Sequence, residues 1–397
     1  MKKKASITDK NFFLSPFVYF ILILSIVLYG LVIMYSASYY EALIHNLDHY
    51  YFLKRQVIFV VLALAVSIVI HFIDFKLIEA VTYPLVILSI ILMLLTLFTS
   101  FGVTILGARR WLEIGPIPSF QPSEFVKVST VLFLAKYYKN ENKRDIIPIL
   151  LVLVNAALIL LQKDYSTTIV YLITSFALLL ICGCELKIIS LIALFLFLPA
   201  GLALFSQGYR IKRIISFVFP SLDPTGLNYQ INNSIDAIAS GGLFGKSIGN
   251  GYYKMGILPE VQNDFIFAHL GEETGFIGIF ILILFFLVFT HIGYKVAREN
   301  YDKNKLFSYI SFGITTQIVL QAIINMMVVT ALLPPTGIPL PFFSQGGTNL
   351  FFTIILVSIV HKIIFETSIY EENIPKDIES DENKVKYVTD YEEFNFD

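Results

Sequence analysis

Long apolar runs alternate with short polar connections along the chain, at about 14–36, 54–73, 77–99, 122–138, 145–162, 166–184, 187–206, 265–290, 306–333 and 346–365. Each approaches the ~20 apolar residues that a helix needs to cross a bilayer, so the pattern predicts ten transmembrane helices. The first run follows MKKK, as the apolar part of a signal peptide would. It extends from Pro16 to Met34, however, and no small-residue cleavage site follows, which predicts a retained span. The fold expected is an all-α polytopic bundle over 14–366, with a long extramembrane segment at 207–264 between the seventh and eighth spans. No soluble domain is appended.

The connections set the expected orientation, because lysine and arginine collect on the cytoplasmic side. Lys2, Lys3, Lys4 and Lys10 precede the first span; Lys136, Lys139, Lys143 and Arg144 lie at the 4–5 turn; Lys295, Arg298, Lys303 and Lys305 lie at the 8–9 turn. With ten spans all three groups share one side, which makes residues 1–13 and the tail 367–397 cytoplasmic. The 37–53, 100–121, 207–264 and 334–345 connections then lie outside. A chain that is 56% hydrophobic and 15% charged, of mean hydropathy +0.73, fits this membrane reading. A net charge of −1 leaves no broad basic surface for nucleic acid. Between Glu371 and Asp397 ten acidic residues face three lysines, so this end is −7, the remainder about +6, and the tail is expected to be disordered. Cys182 and Cys184, the only cysteines, are too few for a metal site.

Against this apolar background the ionisable outliers stand out. NDFIFAHLGEETG places Asp264, His269, Glu272 and Glu273 at the start of the eighth span, where charge in hydrocarbon costs several kcal/mol per group. Asp264 reads either as the cap of that helix, a task Asn263 could share, or as a functional carboxylate. At ~100° per residue Glu272 lies about 80° around the helix from Asp264, while Glu273 points nearly opposite and needs another partner. FQPSEFVK opens the fourth span with Pro122 at a first helical position and Glu124 and Lys127 at i, i+3. The pair is either a helix-start carboxylate beside a snorkelling lysine or a buried pair lining a polar cavity. GARRW adds Arg109 and Arg110 on the outer side, against the positive-inside tendency, and a guanidinium fork fits phosphate. IDAIASGGLFGKSIGNG carries glycines at 241, 242, 245, 249 and 251, either as a flexible loop or as backbone that approaches a ligand closely. LLPPTGIPLPFFSQGGTN, with four prolines and three glycines, is a stiff turn that could also place Ser344 and Gln345 at the mouth of the tenth span. Asp164 sits beside Lys163 between the fifth and sixth spans. Together these residues suggest an outward-facing site for an anionic amphiphile with a lipid tail.

In order and spacing, GARRW…FQPSEFVK, AIASGGLFGKSIGNG, LPEVQNDFIFAHLGEETGFIG and TGIPLPFFSQGG resemble the signature segments of the SEDS family, ten-span proteins of bacterial shape, elongation, division and sporulation that include FtsW and RodA. The resemblance covers roughly residues 14 to 366. It implies a peptidoglycan glycosyltransferase that polymerises lipid II at the outer face of the cytoplasmic membrane, working with a class B penicillin-binding protein and other division or elongation proteins. The family's essential carboxylate falls on Asp264, its Glu and Lys on Glu124 and Lys127, and its outer-loop Arg-Trp on Arg110 and Trp111, with Arg109 shared by close members. Asp164 is retained, but the family's Pro-Asp-Gly-Thr turn reads KDYST here, its Ser-Tyr-Gly-Gly reads SQGG, and its Thr-Asp reads Asn263-Asp264. YYFLKRQ, GARRW and IGNG favour the FtsW branch. A divalent cation such as Mg²⁺ or Mn²⁺ is one expected aid to pyrophosphate departure, although no ligand cluster identifies its site. Two other classes share the outward cavity: a lipid flippase, and a non-catalytic division scaffold acting through the acidic tail.

Overall fold

The computed structural model describes residues 15–105, 107–113, 115, 119–140, 145–185, 187 and 227–372. The described residues are mostly helical: α1 (Pro16–Ile44), α2 (Tyr51–Phe72), α3 (Phe75–Phe98), α4 (Pro122–Tyr138), α5 (Ile146–Leu161), α6 (Tyr165–Ile181), α7 (Leu227–Gly241), α8 (Ile266–Asn300), α9 (Lys305–Val329) and α10 (Gly347–Glu372). α1, α2, α3, α8, α9 and α10 are long and apolar enough to cross a membrane. α4, α5 and α6, at 16 or 17 residues, occupy three further expected spans. The expected seventh span at 187–206, the first 14 residues and the acidic tail beyond residue 372 lie outside the described residues.

Among the helices that fall on expected spans, the two most polar, α4 and α10, are the innermost. α4 buries 15 of its 17 residues, and the apolar window of α10 is 78% buried, against 17% for α2. A helix that faces lipid must be apolar all round, whereas one surrounded by other helices can carry Ser, Thr, Asn or Gln if each finds a partner. α4 therefore sits among α3, α6, α9 and α10, and α8 packs against both α9 and α7.

Two features depart from a plain helical bundle. Residues 102–112, expected as loop, form an antiparallel hairpin of β1 (Gly102–Ile105) and β2 (Ala108–Leu112), turned at Gly107 with φ +77°. And α8 is broken at Gly275, whose φ of 65° and ψ of −163° belong to glycine alone. The amides freed by the break are taken up by the glycine-rich loop: Phe276 N–H donates to the Gly242 carbonyl at 2.9 Å and Ile277 N–H to that of Leu243 at 3.2 Å. A Cβ on Gly275 would also strike the backbone of Leu243 and Gly245. Gly275→Ala is therefore expected to lower stability by about 1–3 kcal/mol from backbone strain alone. Thermal unfolding in detergent or nanodiscs, with native-like melting for the variant, would refute this.

Candidate functional site

The polar residues gather at the end of the bundle that carries the hairpin. α4 starts there on Pro122, and its first turn buries Glu124 and Lys127. The ammonium of Lys127 lies 2.9 Å from one Glu124 oxygen, with both side chains about 5% exposed. Asn349 of α10 donates to the other Glu124 oxygen at 3.1 Å, and Lys127 also donates to Gln321 Oε1 of α9 at 3.3 Å. A small polar cavity borders this pair, lined also by Thr167, Val170, Gln321, Ile338 and Pro339. Glu124 and Lys127 of α4 are thus a buried pair hydrogen-bonded to α9 and α10, and not a snorkelling one.

The 334–345 loop forms the cavity's lid and is tied down on every side. Ser166 of α6 donates to the Thr336 carbonyl, Gln321 to that of Pro339 at 3.0 Å and Asn325 to that of Ile338 at 2.7 Å. Ser344 donates to the Asn263 carbonyl at 2.6 Å and accepts from Leu340 N–H at 2.8 Å, while Gln345 N–H meets the Gln262 carbonyl at 2.8 Å. Ser344 and Gln345 therefore clamp the loop to the segment that carries Asp264. Buried Gln56 of α2 adds a bond to the Ser344 carbonyl at 3.3 Å.

Asp264 does not occupy the cap position of α8. α8 begins one residue after Phe265, which holds the cap position without a side-chain bond. The carboxylate lies instead over Gly337, where a Cβ would come within 3.2 Å of Asp264 Oδ2. Gly337 has φ +72°, so the close approach and the backbone both call for glycine. The next two residues, Ile338 and Pro339, line the Glu124–Lys127 cavity, so Asp264 and the buried pair both border the 337–339 stretch.

Arg110 and Asp164 join the hairpin to the α5–α6 turn. Asp164 caps α6 through Thr167 N–H at 3.2 Å, accepts from Gln121 at 3.2 Å and lies 3.6 Å from the Arg110 guanidinium, which also donates to the Lys163 carbonyl at 2.7 Å. Arg109 is used differently: its guanidinium binds the carbonyls of Gly102 and Thr99, holding the hairpin's own base. Trp111, half-buried, pairs with Val103 across the hairpin. Gly241 presses α7 against the Gly271 and Glu272 backbone of α8, and Gly242 turns the chain at φ +55°. Gly241 is thus spent on helix packing, and Gly242 on a turn whose carbonyl receives Phe276 N–H.

Glu272 and Glu273 find partners that the sequence did not reveal. Glu272, fully buried, accepts from Lys246 at 2.8 Å and from the amides of Tyr252 at 2.7 Å and Tyr253 at 3.2 Å. Glu273 accepts from Lys254 at 2.8 Å, Ser36 of α1 at 2.7 Å and Gly251 N–H at 3.1 Å, with His269 at 3.3 Å from its second oxygen. The two carboxylates hold the 242–258 loop onto α8 and α1. Glu273→Gln should leave buried Lys254 short of its counter-charge and loosen this loop, seen as faster amide exchange at Gly251 to Lys254; unchanged protection there would refute the clamp.

Among the described residues, no three His, Cys, Asp or Glu side chains are grouped so as to hold a metal ion.

The sequence pattern of the FtsW/RodA/SpoVE family, described as cell cycle protein, matches residues 17–369. The chain is 34% identical over 355 residues to the probable peptidoglycan glycosyltransferase FtsW of Borreliella burgdorferi, covering 87% of this chain and 95% of that one. It is 36% identical over 341 residues to stage V sporulation protein E of Bacillus subtilis, covering 83% and 92% respectively. Among solved structures, a chain from a peptidoglycan synthase complex superposes with a TM-score of 0.72 at 25% identity, covering 88% of this chain and 97% of that one. The rod shape determining protein RodA of Thermus thermophilus gives 0.64 at 26% identity, covering 88% and 96%. With a match over nearly its whole length in sequence and in fold, this chain belongs to the FtsW/RodA/SpoVE family of multi-pass membrane proteins.

Proposed function

We propose that this protein is a peptidoglycan glycosyltransferase that polymerises lipid II into glycan strands at the outer face of the bacterial cytoplasmic membrane, with both termini in the cytoplasm. The observation that carries the reading is the placement of the Asp264 carboxylate against Gly337, one residue from the stretch that walls the buried Glu124–Lys127 pair. Asp264 takes the proton from the 4-hydroxyl of the acceptor sugar as that oxygen bonds to the donor's anomeric carbon. The bond from that carbon to the polyprenyl pyrophosphate breaks, and its electron pair leaves with the phosphate. Lys127 and the partly exposed Arg110 are the cations nearest this end and offset the charge of the departing group, while Glu124 holds Lys127 in place. A divalent ion such as Mg²⁺ or Mn²⁺, bound to the pyrophosphate, would offset the same charge. Asp164 holds Arg110, and Ser344 holds the 334–345 loop to the segment that carries Asp264.

The partner that fits this role is a class B penicillin-binding protein, in keeping with the peptidoglycan synthase complex that supplies a structural neighbour. The similarity to FtsW favours service in division over elongation. The test is glycan-chain formation from lipid II by the purified protein with its partner, native against Asp264→Asn. Polymer from the native chain alone supports the reading. Equal polymer from both removes Asp264 from the chemistry, and none from either, with a competent partner, moves the chain toward lipid transport or scaffolding.

A further inference from the structure

Gln321 and Asn325 lie four residues apart on α9, on one face of the helix and fully inside the protein, at 4% and 1% exposure. Neither was singled out by its sequence context, and each joins two parts of the site. Gln321 Oε1 accepts from the Lys127 ammonium at 3.3 Å, and its Nε2 donates to the Pro339 carbonyl at 3.0 Å. Asn325 Nδ2 donates to the Ile338 carbonyl at 2.7 Å and to the main-chain carbonyl of Asp264 at 2.9 Å. A continuous path thus runs from Lys127 through Gln321 to Pro339, and from the adjoining Ile338 through Asn325 to Asp264.

We infer that Gln321 and Asn325 are positioning residues which set the Lys127 ammonium and the Asp264 carboxylate at a fixed separation, with the rigid rise of α9 as the spacer; the inference rests on the proposed role of Asp264. Neither side chain touches the reacting atoms. The segment carrying Asp264 is a run of turns before α8 begins, and cross-links of this kind tie it to the cavity wall. Prolines 334, 335, 339 and 341 stiffen the loop between them, which lets a bond at Ile338 fix Asp264 rather than merely follow it. If both amides only satisfied buried carbonyls, their loss would lower stability without acting through Asp264.

The experiment measures polymerisation of lipid II by the full chain with its partner, for native protein, Asn325→Leu, Asp264→Asn and the double variant, with thermal stability followed in parallel. A misplacement near 1 Å is enough for a loss of order 100-fold, so Asn325→Leu is expected to lower kcat about 10- to 100-fold while KM for lipid II moves little. In the Asp264→Asn background the same change is expected to alter the residual rate by less than about twofold, because its target is already gone. Gln321→Leu should lower kcat in the same manner through Lys127. If Asn325→Leu fails to fold, Asn325→Ser, which keeps one donor, carries the same comparison. A native kcat in folded Asn325→Leu, a loss confined to KM, or an equal loss in both backgrounds would overturn the inference while Asp264 kept its role. A native chain that makes no polymer would remove the proposed function itself, and the inference with it.

Discussion

Asp264→Asn is expected to slow glycan-chain formation by roughly 10²–10⁴, the usual contribution of a positioned general base, with the protein still folded and still bound to its partner. Asparagine keeps the shape and loses only the ability to take a proton. The structural grounds for expecting a native fold are specific. Phe265, not Asp264, holds the cap position of α8, and the bond from Asn325 to this residue's backbone carbonyl at 2.9 Å survives the change. Gly337 continues to offer the same space. Lost activity beside an unchanged melt then assigns the carboxylate to the chemistry. The measurement is single-turnover or steady-state polymerisation beside a thermal melt. A fall in both by parallel amounts would assign Asp264 to structure.

Lys127→Met should be the most destabilising of the single exchanges considered. It strands Glu124, whose side chain is 6% exposed and whose remaining donor is Asn349. Removing one member of a buried ion pair typically costs roughly 3–5 kcal/mol, because the surviving charge has no water and no counter-charge. Glu124→Gln/Lys127→Met is expected to recover much of that loss, since two neutral groups of similar size need no compensation. Turnover should not recover with it if Lys127 offsets the leaving group's charge. Melting temperatures of the two single variants and the double variant, compared with their polymerisation rates, separate the two contributions. Native-like melting of Lys127→Met would mean that water reaches the pair; Glu124→Gln that folds normally but loses turnover would give Glu124 more than a holding role.

The apolar runs alone placed the six helices that are long and apolar enough to cross a membrane, because a bilayer demands about 20 consecutive apolar residues whatever the tertiary packing. The same logic exposed Asp264, Glu124, Lys127, Glu272 and Glu273, since charge in such runs is costly enough to be informative. Partners were not legible. Ser36 meets Glu273 across 237 residues, Asn349 meets Glu124 across 225 and Lys127 meets Gln321 across 194, and no local period encodes pairings of that range. Local signals also misled where β1 and β2 pair as a hairpin in place of the expected loop. Gln321 and Asn325 passed unnoticed because an uncharged amide barely interrupts an apolar span. Only the packing of α9 against α4, α8 and the proline-rich loop turns those amides into links between a buried cation and a carboxylate, because a hydrogen bond depends on where two groups meet and not on how far apart they stand in the chain.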